Sequence, residues 1–189
     1  MDAFLTSAAV VAFAEIGDKT MLLAILLAAR FHKPLPIIMG ILLATLANHA
    51  LAALLGHSVA GLLQGEAFRY AVGAGFVAMA AWTLVPDKLD DDGPRTGRHG
   101  PFLTTLVAFF IVEIGDKTQV ATIALGARFD SVLAVTAGTT FGMMLANVPA
   151  VYAGQRIVQL VPLRIVRAVA AALFLVLGLW VIAQTAGWL

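Results

Sequence analysis

Apolar positions in this chain fall into six long runs, near residues 3–29, 35–56, 68–85, 102–126, 132–153 and 165–186, with polar punctuation between them. A helix rises about 1.5 Å per residue, so about 20 apolar residues cross the roughly 30 Å of hydrocarbon in a bilayer. Each run is of that order, and the pattern predicts an all-α polytopic membrane protein of six transmembrane helices. Arg30-Phe31-His32-Lys33-Pro34, Gln64-Gly65-Glu66, Arg128-Phe129-Asp130 and Pro162-Leu163-Arg164 interrupt the runs and mark short connections. The one long polar stretch, 86–101, holds Asp87, Lys88, Asp90, Asp91, Asp92, Arg95, Arg98 and His99. It reads as a hydrophilic linker between a first unit, 1–85, and a second, 102–189, and its acids as those of a solvated hinge.

Composition agrees with lipid as the solvent. Hydrophobic residues make up 61% of the 189 and charged residues 12%, against about 45–50% apolar in a soluble domain. The formal net charge is +1 and the basic residues are scattered, which gives no electrostatic footprint for nucleic acid. With no cysteine, disulfides and thiolate metal sites are excluded. No Lys or Arg precedes Lys19, which argues against a cleaved signal peptide with a basic leader. Across six spans, one side receives Arg30, Lys33, Lys88, Arg95, Arg98, Arg156, Arg164 and Arg167, and the other only Arg69 and Arg128. The excess of positive charge places the first side in the cytoplasm, both termini outside it and the linker inside. Gly73, Gly75, Ala78, Gly138 and Gly142 lie in the runs and suit close helix approach.

The strongest signal is an internal repeat. Residues 15–31 and 113–129, aligned without gaps at an offset of 98, agree at 11 of 17 positions, and both begin Glu-Ile-Gly-Asp-Lys-Thr. Three spans separate the copies, so they enter the membrane from opposite sides, the plan of two inverted three-helix repeats. On a continuous helix Glu15 and Asp18 share a face, as do Glu113 and Asp116. Gly17 and Gly115 sit between the acids, and spans 1 and 4 are expected to lie adjacent and to break or kink there, which would free carbonyl oxygens. Thr20, Thr118, Asn48 and Asn147 add polar groups at membrane depth.

Energetics make an incidental role expensive. A charge at mid-bilayer costs about 2.5–3.5 kcal/mol on insertion scales, so the six charges of the two copies would cost on the order of 15–20 kcal/mol facing lipid unpaired. Ion pairs of Glu15 with Lys19 and of Glu113 with Lys117, one turn apart, would neutralise two acids. That leaves Asp18 and Asp116 without assigned partners. Four carboxylates against two ammonium groups leave two negative charges, which one divalent cation or two protons would balance. Oxygen ligands suit hard divalent ions such as Ca²⁺, Mn²⁺ and Mg²⁺ rather than Zn²⁺ or copper.

The duplicated Glu-x-Gly-Asp-Lys-Thr hexapeptide, at Glu15–Thr20 and Glu113–Thr118, resembles the signature of uncharacterised protein family 0016. That family includes the Golgi manganese/calcium–proton antiporter and bacterial manganese exporters. The resemblance covers essentially the whole chain. It implies a transporter, not an enzyme, that exchanges Mn²⁺ or Ca²⁺ for protons in a bacterial inner membrane and exports the metal. It further implies Glu15, Asp18, Glu113 and Asp116 as cation and proton ligands; beside them Lys19, Thr20, Asn48, Lys117, Thr118 and Asn147, read from the residues themselves, are the candidate binding or coupling groups. No cofactor is expected, and the partners are the divalent cation, protons and the lipid bilayer; a homo-oligomer is left open.

Of the four histidines, His32, His49, His57 and His99, only His49 lies in a predicted span. It reads as a packing or hydrogen-bonding residue, with its neighbour Asn48 the better ligand candidate. The same acids would serve a proton-coupled exporter of a small organic cation or amino acid, and a channel would carry metal without obligatory proton movement. An intramembrane enzyme needs a nucleophile arrangement that is not visible, and no phosphate-binding Gly-rich loop marks an ATP-driven pump.

Overall fold

The computed structural model describes residues 2–62, 65–85, 100–154 and 162–189, all of whose regular structure is helical. Eight helices follow in order: α1 (Ala3–Glu15), α2 (Lys19–Phe31), α3 (Pro34–Leu62), α4 (Glu66–Thr83), α5 (Pro101–Glu113), α6 (Lys117–Arg128), α7 (Val132–Ala153) and α8 (Leu163–Thr185). The linker acids Asp87, Asp90, Asp91 and Asp92, together with Arg95, Arg98, His99 and Arg156, lie outside the described residues.

The six apolar runs are recovered, but the first and fourth are each divided in two at the hexapeptide. The cause is local. Ile16 is extended at φ −66° and ψ 113°, Gly17 takes φ +85°, and the Asp18 amide donates to the Glu15 carbonyl at 3.0 Å. These are the marks of a type II turn, which needs glycine at its third position. Ile114 at φ −64° and ψ 118°, Gly115 at φ +77° and the 3.1 Å bond from the Asp116 amide to the Glu113 carbonyl repeat it. The expectation that Glu15 and Asp18, or Glu113 and Asp116, share the face of one continuous helix is therefore corrected. Glu15 and Glu113 end one helix, and Asp18 and Asp116 are the N-cap residues of the next.

By length and composition α3, α7 and α8 can each cross a membrane alone. The remaining helices are shorter or, in α4, carry Glu66 and Arg69 in the opening turns. Large apolar side chains such as Leu35, Ile111 and Leu133 point outward, as befits a surface solvated by lipid. Inside, α1 packs along α7 and α5 along α3, while α4 packs along α8 and α6 along α3. Small residues allow these approaches. A side chain on Gly138 would run into the Phe4 carbonyl and Ser7, and one on Gly40 into the Phe102 carbonyl and Thr105. These two contacts are the same contact shifted by 98 positions. Gly73 and Gly142 also sit at close approaches, whereas Gly75 meets nothing within 4 Å and Ala78 is exposed, so those two do not serve the packing expected of them.

Two apolar clusters flank the turns. One joins Val10, Ala53, Phe76, Ala121, Leu125, Val135 and Phe174, from α1, α3, α4, α6, α7 and α8. The other joins Leu23, Leu27, Ile37, Ile41, Phe109 and Val151, from α2, α3, α5 and α7 alone.

Candidate functional site

Among the described residues every buried Asp, Glu and Lys belongs to one of the two hexapeptides. Glu15, Asp18, Glu113 and Asp116 are all buried, as are Thr20, Asn48, Lys117, Thr118 and Asn147. The amide ends of α2 and α6 favour the Asp18 and Asp116 carboxylates at their N-caps, whereas Glu15 and Glu113 stand at the carbonyl ends of α1 and α5 and depend on side-chain donors.

The two hexapeptides touch. Thr118 of the second copy donates from Oγ1 to Glu15 Oε2 at 3.1 Å and lies 3.5 Å from Asp116 Oδ2. Lys19 of the first copy pairs with Asp116 Oδ1 of the second at 3.1 Å. The ion pair of Lys19 with Glu15 one turn back, considered from the sequence, is thus replaced by a pair across the repeat. Lys117 donates to the Val85 carbonyl at 2.8 Å and its ammonium stands 5.9 Å from the Trp82 ring centroid.

Each glutamate has its own hydrogen-bond nest. Asn147 Nδ2 donates to Glu15 Oε1 at 3.3 Å and to the Met143 carbonyl at 3.1 Å. Asn48 Nδ2 donates to Glu113 Oε2 at 2.9 Å and to the Phe110 carbonyl at 3.0 Å. Each of the two asparagines named from the sequence thus bonds one hexapeptide glutamate. Thr45, which gives Glu113 Oε1 a 3.0 Å bond, was missed, although it stands one turn before Asn48 and therefore on its face of α3. His49 was read as a packing or hydrogen-bonding residue. It is fully buried, makes no hydrogen bond from either ring nitrogen, and holds Nε2 3.8 Å from Glu113 Oε1.

Among the described residues no three Asp, Glu or His side chains are gathered tightly enough to hold a metal ion as they stand. Thr and Asn donors occupy the glutamate oxygens instead. Unused oxygens lie close at hand: Thr20 Oγ1 and Asn147 Oδ1 are buried without a hydrogen-bond partner. At one end of the bundle a cavity of about 920 Å³ is lined by His57, Glu66, Arg69, Arg128, Asp130 and Gln184 among others. None of the hexapeptide residues lines it.

Comparison with known proteins accords with this repeated architecture. The family described as "Divalent cation/proton antiporter GDT1" matches residues 3–91 and again 101–188. A Vibrio cholerae protein named "Putative manganese exporter" is 51% identical over 180 residues, spanning 95% of this chain and 90% of its own. "GDT1-like protein 5" of Arabidopsis thaliana is 28% identical over 217 residues, spanning 95% of this chain and 94% of its own. "GDT1-like protein 4" of Oryza sativa subsp. indica is 28% identical over 200 residues, at 92% and 70%. No solved structure matches the chain.

Proposed function

Since this chain belongs to the GDT1 family of divalent cation/proton antiporters, and is a bacterial membrane transporter rather than an enzyme, we propose that it exports Mn²⁺, and to a lesser extent Ca²⁺, in exchange for protons entering the cell. The name of the Vibrio cholerae relative supports manganese as the cargo.

In this reading α1 with α2 makes one span and α5 with α6 another, and α3, α4, α7 and α8 complete six spans in two inverted repeats, 1–85 and 102–189, joined by the linker 86–101. The termini face away from the cytoplasm in the bacterial inner membrane, the side with fewer basic residues. Glu15, Asp18, Glu113 and Asp116 serve as cation and proton ligands. Thr20, Thr118, Asn48 and Asn147 supply neutral oxygens when the cation displaces their hydrogen bonds, and Lys19 and Lys117 balance charge in the empty state.

Coupling then needs no separate device. A divalent ion attracts ionised carboxylates and expels their protons, and protons in excess expel the ion. If only the cation-loaded and protonated forms interconvert between the two faces, the inward proton gradient drives metal out. The observation that carries this reading is the contact between the two hexapeptides, the buried bond of Thr118 with Glu15 and the partly exposed pair of Lys19 with Asp116. It supports one shared mid-membrane site rather than two peripheral ones. Purified protein in vesicles with a pH-sensitive dye inside provides the test: added Mn²⁺ should move protons in the opposite direction, and metal flux without proton movement would instead describe a channel.

A further inference from the structure

The offset of 98 that relates the hexapeptides also relates their surroundings. It pairs Phe4 with Phe102, Ser7 with Thr105, Gly40 with Gly138 and Thr20 with Thr118, and the Gly40 and Gly138 contacts repeat accordingly. The register mate of Asn147 is then His49, not Asn48. On the Glu15 side, Thr118 and Asn147 both donate to the carboxylate. On the Glu113 side, the corresponding Thr20 hydroxyl and both His49 nitrogens are buried with no hydrogen-bond partner, while Glu113 leans on Thr45 and Asn48.

A fully buried imidazole with two unsatisfied nitrogens is costly to keep, and a hydrocarbon side chain would pack there without the desolvation penalty. Its separation from the carboxylate is informative. The 3.8 Å between His49 Nε2 and Glu113 Oε1 is too long for a hydrogen bond. Two ligands on one ion with bonds of about 2.2 Å stand about 3.1 Å apart at right angles and about 4.4 Å apart in opposition. The observed spacing lies between those limits.

We propose that His49 is a nitrogen ligand to the transported cation on the Glu113 side, and that this one nitrogen makes the site prefer Mn²⁺ to Ca²⁺. The inference rests on the antiport reading above and deepens it. Calcium takes shells of oxygen alone, from carboxylates, carbonyls and water. A first-row transition ion accepts imidazole beside carboxylates, and ligand softness is one of the means by which proteins sort such ions. The other half of the site, with Asn147 at the matching position, offers oxygen only. The repeat is thus chemically asymmetric at the point where the two cations differ.

Two measurements test this. In vesicles, His49→Asn, which copies the other half of the repeat, should weaken the apparent Mn²⁺ affinity by about tenfold or more, as expected for a lost metal-site partner, and lower the ratio of Mn²⁺ to Ca²⁺ exchange. Pulsed electron paramagnetic resonance of Mn²⁺-loaded protein should show nitrogen coupling from a directly bound imidazole. That signal should persist when His32→Asn, His57→Gln and His99→Gln are combined, leaving His49 as the one histidine, and should vanish in His49→Asn. Absence of nitrogen coupling in protein that exchanges Mn²⁺ for protons overturns the proposal while the antiport reading stands, and it does so without relying on any variant's folding. An unchanged Mn²⁺ to Ca²⁺ ratio in folded His49→Asn overturns it equally. Wild-type vesicles in which neither cation moves protons would overturn the antiport reading and this inference together.

Discussion

Glu15 and Glu113 open two identical hexapeptides, end two helices at the same type of turn, and yet sit in different company. Glu15 takes its hydrogen bonds from α6 and α7, from Thr118 and Asn147. Glu113 takes both of its bonds from α3, through Thr45 and Asn48, and faces His49. The lysines differ as well: Lys19 is partly exposed and paired with Asp116, whereas Lys117 is buried against the Val85 carbonyl and Trp82. The helices around them follow suit. α4 packs on α6 and α8 on α1, but the repeat-related contacts of α8 with α2 and of α4 with α5 are marginal or absent among the described residues. Identical sequence in unlike surroundings suits the alternating access proposed above for two inverted repeats. If the halves can exchange these roles, the second state is the mirror of the first, with α4 and α8 closing over the α2 and α5 side. The two states then differ in which end of the bundle is sealed.

The most severe way to test that comparison is to neutralise the acids one at a time. Glu15→Gln, Asp18→Asn, Glu113→Gln and Asp116→Asn each keep shape and remove an ionisable carboxyl group, which in the proposed reading is a cation ligand and a proton carrier. Each should cut metal flux by about 10- to 100-fold or more, with metal-driven proton release falling in parallel, and insertion should be unimpaired because a mid-membrane charge is lost. Both fluxes are read in the same vesicles at equal amounts of folded protein. Normal transport by all four variants would return the acids to a structural role. The intact protein should also bind Mn²⁺ more weakly as pH falls, because protons compete for the same oxygens. Titration calorimetry at several pH values in different buffers measures that slope and the protons released per ion.

How much of this was legible beforehand differs between levels of structure. Six apolar runs and the repeat could be read from composition and identity, since both are properties of the chain itself. A break or kink near Gly17 and Gly115 was expected from the sequence, but its form was not, because glycine permits a positive φ without demanding one. Reading the acids as neighbours on a continuous helix therefore misplaced Asp18 and Asp116, which turned out to be N-caps. The partners of the glutamates depended on tertiary packing. Thr45 and His49 are each one polar residue within α3, and only the approach of α5 along α3 brings them to Glu113. An exact continuation of the offset to His49 and Asn147 would have pointed to the histidine.

A smaller effect should separate the two turns. Gly17→Ala and Gly115→Ala each place a side chain at positive φ, at a cost of about 1–2 kcal/mol. A methyl on Gly115 meets nothing within 4 Å, but one on Gly17 comes within 2.7 Å of Leu163 Cδ2 on α8. Gly17→Ala should therefore lower the thermal midpoint further than Gly115→Ala, and Leu163→Ala should narrow the gap. Equal losses would mean that the flexible Leu163 side chain swings aside at no measurable cost.

The smallest difference expected is between the two threonines of the hexapeptides, and it bears most directly on the exchange of roles. Thr118 Oγ1 bonds Glu15 at 3.1 Å, whereas Thr20 Oγ1 is buried and bonds nothing. Replacing either by Val keeps the volume and removes the hydroxyl. Hydrogen bonds between membrane helices average about 0.6 kcal/mol and reach about 1.7, so Thr118→Val should destabilise by an amount in that range. Thr20→Val removes an unsatisfied polar atom and should be neutral or slightly stabilising. Transport should not follow stability. If the halves exchange roles, the Thr20 hydroxyl bonds Glu113 in the other state, and Thr20→Val should slow metal–proton exchange although the protein is no less stable. Thermal denaturation in detergent and flux in vesicles, measured on the same preparations, separate the two quantities. A Thr20→Val protein that is as stable and as fast as the wild type would leave the orphaned hydroxyl without a second partner, and the asymmetry between the halves would then be permanent rather than one phase of a cycle.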